Sequence, residues 1–366
     1  MSGSRLFKPL KVGNMELKNR VAMAPLTRFR ASDEHVIMSI AAEHYGQRAC
    51  VPGTLLVTEA TIIAKQYGGY PNVPHIETQQ QIDAWKKITD EVHKKGSFIY
   101  LQLWALGRVA NKQFCEANGI TVIGASPIAL DSEHAEPKEM TQDDIKNAVQ
   151  AFAQAAKNAI AAGFDGVEIH GANGYLVDQF LQDKTNQRSD SYGGSIENRS
   201  RFVVEVTQAV VDAIGSDKTG IRLSPFSDFQ GMHMADPIPQ FSDVITKLNK
   251  LHLAYLHLVE SRISGSADME SSDALDPLVK LFDGPLLIAG GFKPDSAKRL
   301  VDEERADRDV VVVFGRYFTS TPDLVFRLQK GIPLSPYNRD TFYNAKSEVG
   351  YTDQPFSDEW KAQAQL

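Results

Sequence analysis

The stretch MTQDDIKNAVQAFAQAAKNAIAAGFDGVEIHG, residues 140–171, passes from one periodicity to another without a break. Up to Gly163 its apolar residues recur at helical spacing; from Gly166 to Gly171 it is a short run suited to a buried strand. Thr141, followed three residues later by Asp144, is a variant of the capping box with Asp in place of the usual Glu. Gly163 is positioned to end the helix. A helix leading into a buried strand is half of a parallel βαβ unit.

The same rhythm recurs along the chain. Strand-like runs are RVAMAPL (20–26), TLLVTEATI (54–62), SFIYLQLW (97–104), GVEIHG (166–171), GIRLSP (220–225), AYLHLVE (254–260), PLLIAGG (285–291) and VVVVFGR (310–316). Helical patterns fall between them, as in Thr78–Lys95 and Ser195–Ile214. Eight alternating units with right-handed crossovers predict an α/β fold, a (β/α)8 TIM barrel, with a doubly wound open sheet as the alternative. Ahead of the first strand, LFKPLKVGNMELKNRV reads as a β-hairpin turning at Gly13-Asn14, placed to cap the barrel bottom. No linker or composition break divides the chain, so one domain is expected over 1–366.

Composition narrows the function. The chain has 366 residues, 42% hydrophobic and 23% charged, which excludes a disordered protein. With a net charge of −7 and scattered Lys and Arg, nucleic acid is not an expected partner, because phosphate binding needs concentrated positive charge. Two cysteines, Cys50 and Cys115, and no HExxH or paired CxxC argue against a metal site. No run approaches the roughly 20 apolar residues of a membrane span, and neither end carries a recognisable targeting signal, so cytoplasm is the expected location.

In a barrel, chemistry gathers where strands end at the C-terminal face. There the chain has Thr27, Gln102, Trp104, His170, Asn173, Arg222, Gly290-Gly291 and Gly315-Arg316. Glycines after strands seven and eight fit the usual phosphate site of such barrels, with Arg316 as a cation. Without GxGxxG or GK[ST], that phosphate belongs to a mononucleotide cofactor or a sugar phosphate. Gln102 and Arg222 favour a flavin: an amide matches the donor and acceptor edge of the ring, and a cation near N1 and O2 stabilises the reduced form. In HGANGY (170–175), His170 and Asn173 can donate to one carbonyl oxygen, and Tyr175, a phenol of ordinary pKa ≈ 10, can give a proton. Singly, a strand-end His or a Tyr beside a helix is more often a packing residue. Their co-occurrence on the fourth strand is what points to a site.

These residues resemble the Old Yellow Enzyme family of flavin-dependent ene reductases, particularly its fungal members. Similarity runs through LFKPLKVG, MAPLTRFRA (23–31), YGQRA (45–49), LQLWALGR (101–108), AGFDGVEIHGANGYLVDQFL (162–181), RSDSYGGSIENRSRF (188–202), VFGRYFTSTPDL (313–324) and GYTDQPF (350–356). The resemblance implies a (β/α)8 barrel holding FMN. Pro25, Thr27, Ala60, Gln102 and Arg222 would surround the ring, with Thr27 bonding O4. Gly290, Gly291, Gly315 and Arg316 would hold the phosphate. His170 and Asn173 would bind the substrate carbonyl, Tyr175 would be the proton donor, and Trp104 and Tyr351 would line the substrate mouth.

The activity so implied is NADPH-dependent reduction of the C=C bond of α,β-unsaturated carbonyl compounds, by a monomer or homodimer. One alternative is a pathway-specific reductase of an unsaturated aldehyde in fungal ergot-type metabolism, where Tyr175 instead of Phe favours reduction over isomerisation. Others are a flavin-binding stress protein with incidental turnover and a phosphosugar barrel enzyme without flavin. The related reductases with an iron–sulfur cluster are excluded by the two cysteines and the lack of a further domain. No role is assigned within 261–272, which in the family covers the site.

Overall fold

Eight parallel strands form a closed barrel in the computed structural model, which describes residues 3–261, 263–264, 267–268 and 274–364. They are Val21–Met23 (β1), Leu55–Val57 (β2), Phe98–Trp104 (β3), Gly166–Gly171 (β4), Thr219–Leu223 (β5), Tyr255–Val259 (β6), Leu286–Ala289 (β7) and Val310–Phe314 (β8). Each pairs with its sequence neighbour, and β8 pairs with β1 through Val313 and Ala22, which closes the ring. This is the (β/α)8 barrel expected from the strand–helix rhythm. Most of the 261–272 segment lies outside the described residues.

Alternation along each strand separates two cores. Residues such as Val167, Ile169, Leu256 and Leu258 face the surrounding helices, whereas Tyr100, Tyr255, Leu287 and Val311 fill the barrel interior. Helices form where the pattern places them. Gln142–Ala161 is opened by Thr141, whose Oγ1 accepts the Asp144 N–H at 3.1 Å while Asp144 Oδ2 accepts the Thr141 N–H at 2.9 Å. Gly163, at φ +88°, follows its last turn. Gln79–Lys94 and Ile196–Ile214 start after Thr78 and Ser195, each of whose side chains accepts a backbone N–H of the first turn.

The hairpin pairs Leu10 with Leu17 and Val12 with Met15, and these four side chains join the interior core against Leu55, Tyr100 and Tyr255. The turn needs Gly13. Its φ is +55°, and a Cβ there would lie 2.1 Å from the Asp217 carbonyl oxygen. The bottom of the barrel is therefore sealed by apolar side chains, which leaves the opposite end open for a site.

Candidate active site

A cavity of about 580 Å³ opens at the C-terminal ends of the strands, and each of the eight strands or the loop after it contributes to its wall. Of the residues singled out from sequence, Pro25, Thr27, Ala60, Gln102, Trp104, Arg222 and His170 line it. So do Asn173, Tyr175, Gly290, Gly291, Gly315 and Arg316. Tyr351 does not. It is fully buried behind the wall, stacked on His44 at 3.8 Å and lying beneath Arg28 and Arg30. The expectation that it lines the mouth is corrected: Phe342 and Tyr343 of the same C-terminal segment occupy that place, and Tyr343 is 57% exposed.

His170 is held as a neutral ring. Burial, then the neighbouring Arg222 and His257, push its pKa well below the ordinary value. Its Nδ1 accepts the Ala172 N–H at 3.4 Å, so the proton of the neutral ring sits on Nε2 and makes that atom a donor. The loop that follows is set by two fastenings. Asn173 takes the left-handed conformation at φ +59°, with its N–H donated to Ser224 Oγ at 2.8 Å. The Gly174 N–H is donated to Asp178 Oδ2 at 2.9 Å, and Asp178 is fully buried with its pKa raised to about 7 by that burial. Neither Ser224 nor Asp178 was anticipated, although a carboxylate inside the apolar turn YLVDQF requires a buried partner.

Tyr175 then begins the helix Leu176–Leu181, and its ring meets two others edge to face: His170 at 4.8 Å and Trp104 at 4.9 Å between centroids. Burial raises the phenol's pKa, Tyr70 adds to this, and Gln230 and Arg222 oppose it. The phenol is protonated throughout the neutral range. Tyr70, Phe29, Phe229 and Gln230 also line the cavity and were not foreseen: the first two lie in loops, and the others in the single short helical turn Phe229–Gly231, none of which shows periodicity.

Beneath the cavity floor the barrel holds a buried polar group. Gln102 Nε2 donates to Glu168 Oε1 at 2.8 Å, and Glu168 Oε2 lies 2.8 Å from His257 Nδ1. One amide hydrogen of Gln102 is thus committed below, leaving its other hydrogen and its carbonyl for the cavity. Arg222 lines the same space, with its Nε buried and unpaired among protein groups. At the far side, a Cβ on Gly315 would meet Leu26 and Ala24 only at ordinary contact distances of 3.5 and 3.6 Å. No protein side chain requires glycine at 315, so its bareness leaves backbone open to a ligand. Cationic Arg222 and Arg316 at two edges of a largely apolar space fit a flat ring bearing a phosphate-terminated chain.

Among the described residues, no group of three or more His, Cys, Asp or Glu side chains is placed to hold a metal. None of their helices is long and apolar enough to cross a membrane.

The family described as NADH:flavin oxidoreductase / NADH oxidase matches residues 5–335. The chain is 54% identical over 361 residues to the chanoclavine-I aldehyde reductase fgaOx3 of Penicillium roqueforti, covering 98% of each chain. It is 51% identical over 366 residues to the NADP-dependent oxidoreductase lnbE of Aspergillus flavus, covering 97% of each. Among solved structures, Old Yellow Enzyme from a Pichia species superposes with a TM-score of 0.92 at 40% identity, covering 98% of this chain and 95% of that one.

Proposed function

Because the chain belongs to the NADH:flavin oxidoreductase / NADH oxidase family, that of Old Yellow Enzyme, and is a flavin-dependent oxidoreductase, we propose that it reduces the C=C bond of α,β-unsaturated carbonyl compounds. FMN would be held by Pro25, Thr27, Ala60, Gln102 and Arg222 around the ring and by Gly290, Gly291, Gly315 and Arg316 at the phosphate. Thr27 would bond the ring's O4. When bound, FMN would supply the hydride chemistry that links NADPH to the β-carbon of the alkene. NADPH as the donor is supported by the name of the Aspergillus flavus relative.

The protein's part is to hold one oxygen and move one proton. His170 Nε2–H and the Asn173 amide donate to the substrate carbonyl, and both bonds strengthen as negative charge grows on that oxygen. A neutral imidazole suits this role, since it donates without surrendering its proton. Tyr175 gives its phenolic proton to the α-carbon. Trp104 packs against both rings and fixes their mutual angle. The observation that carries this reading is the neutral, Nδ1-capped His170 in edge-to-face contact with a protonated tyrosine on one cavity wall.

A more specific reading, reduction of a ring-bearing unsaturated aldehyde, is supported by the aromatic mouth of Phe29, Tyr70, Phe229 and Tyr343 and by the name of the Penicillium roqueforti relative. The test of the general reading is colour. Purified protein given FMN should turn yellow, bleach anaerobically with NADPH and recover its colour with an unsaturated aldehyde. Protein that takes up no FMN would refute the reading. Protein that bleaches but is recoloured by no alkene would support a flavin-binding protein instead.

A further inference from the structure

Glu168 and His257 have no place in the chemistry above, yet they form a hydrogen-bonded carboxylate–imidazole pair in the middle of the barrel. Both are fully buried, and their atoms meet at 2.8 Å. Glu168 stands on β4 two residues before His170, hence on the same inward face. Burial pushes its pKa up, but His257, Arg222 and Gln102 outweigh that and hold it below the ordinary carboxylate value. Burial pushes His257 down; Glu168 opposes this and Arg222 adds to it, with a net lowering. The pair is therefore an ionised carboxylate beside a neutral imidazole. To bond the carboxylate, His257 must carry its proton on Nδ1, which leaves a bare lone pair on Nε2.

That lone pair is buried and has no partner among protein groups, and the same is true of the Arg222 Nε–H. One is an acceptor and the other a donor. Arg222 and His257 are register partners on the adjacent parallel strands β5 and β6, so their side chains leave the sheet side by side on the inward face, about 4.8 Å apart at the backbone. The two make no direct bond, but complementary buried groups on paired positions satisfy each other through one water at less cost than if both stayed unpaired.

We propose that Glu168 and His257 are positioning residues for Arg222: the carboxylate fixes the imidazole as its Nδ1–H tautomer, and the Nε2 lone pair holds Arg222 Nε–H through one bridging water. The remaining guanidinium nitrogens are then aimed into the cavity, and Glu168 offsets part of the charge from below. Arg222 is thereby set as a cation of fixed direction and reduced strength. The inference about the cofactor rests on the flavin reading, whereas the tautomer does not.

The test has two arms. In cofactor-free protein at pH 7, 15N NMR of the His257 ring, assigned by its loss in His257→Gln, should show a protonated Nδ1 and an unprotonated Nε2. A protonated Nε2, in either the other tautomer or the imidazolium, overturns the proposal. In FMN-loaded protein, Glu168→Gln removes the offsetting charge and should favour reduced over oxidised FMN about tenfold, a rise of about 30 mV for a two-electron couple. His257→Gln, which keeps a donor and an acceptor, should bind FMN as the parent does, while His257→Leu should bind it about tenfold more weakly. An unchanged potential in Glu168→Gln, or equal affinities in the two His257 variants, overturns the proposal. Failure to bind FMN in the unmodified protein refutes the flavin reading and leaves the tautomer to decide this one.

Discussion

The rings of His170 and Tyr175 meet at 69° with 4.8 Å between centroids, although four residues, among them a left-handed asparagine, separate them in the chain. On the proposed reading, that contact would place an oxygen-binding donor and a proton donor on one wall, so that a single small substrate could be engaged by both. Exchange of either side chain should affect a different part of the reaction.

Replacing the oxygen clamp should weaken binding of ligands that present an oxyanion. With FMN bound, His170→Ala and Asn173→Ala should each reduce affinity for a phenol by about 10- to 100-fold, given about 1.5–3 kcal/mol for a hydrogen bond to a charged group. Titration of the long-wavelength absorbance reads this directly. Unchanged dissociation constants would remove the clamp from the account.

At the mouth, Tyr343 stands half-exposed and edge-on to Phe29 at 5.8 Å. Tyr343→Ala should raise KM for cinnamaldehyde by about 2- to 10-fold, the worth of one aromatic contact, and leave KM for acrolein within about twofold. Equal changes for both aldehydes would argue that Tyr343 supports the wall and makes no contact with a substrate ring.

Acid should destabilise the fold through its buried histidines. His75, stacked on His35 at 4.0 Å, has its pKa lowered to about 3, first by burial and then by His35 and Lys65. In the unfolded chain it takes a proton near the ordinary value of 6.5, so below that pH the unfolded state binds more protons than the folded one. Stability should fall from about pH 6.5 towards pH 3. Urea unfolding at pH 7 and 4.5 should show a smaller loss for His75→Gln than for the parent, and identical losses would contradict the assignment.

Gly13→Ala tests the sealed barrel bottom. A non-glycine residue at φ +55° costs about 1–3 kcal/mol, and the added methyl also collides with the Asp217 carbonyl. A drop in Tm without loss of bound FMN is expected, since the hairpin and the cavity lie at opposite ends. An unaltered Tm would mean that the turn adjusts freely.

Much of this arrangement was legible in the residues. The strands announced themselves because buried parallel strands read as short apolar runs, and Thr141 with Asp144 marked a helix start that the structure repeats atom by atom. Strand ends carried the candidate site because polar types there break an otherwise apolar pattern. Tyr351 misled because the C-terminal segment has little regular structure, so nothing in its sequence distinguishes Tyr343, which faces the cavity, from Tyr351, which faces inward. Glu168 and His257 were overlooked although GVEIHG and AYLHLVE display them: a charge in a fully buried strand demands a partner on a neighbouring strand. Phe29, in a loop, and Phe229, in a single short helical turn, had no such signal, since the direction of both depends on long-range contacts.

The central claim is that Tyr175 delivers a proton to the alkene after the cofactor has been reduced. Stopped-flow measurement of both half-reactions in Tyr175→Phe tests it most directly. Bleaching by NADPH should be nearly unchanged, while recolouring by an unsaturated aldehyde should slow by about 10²–10⁴-fold, the usual weight of a general acid. Equal slowing of both half-reactions, or recolouring at the parent's rate, would contradict the account.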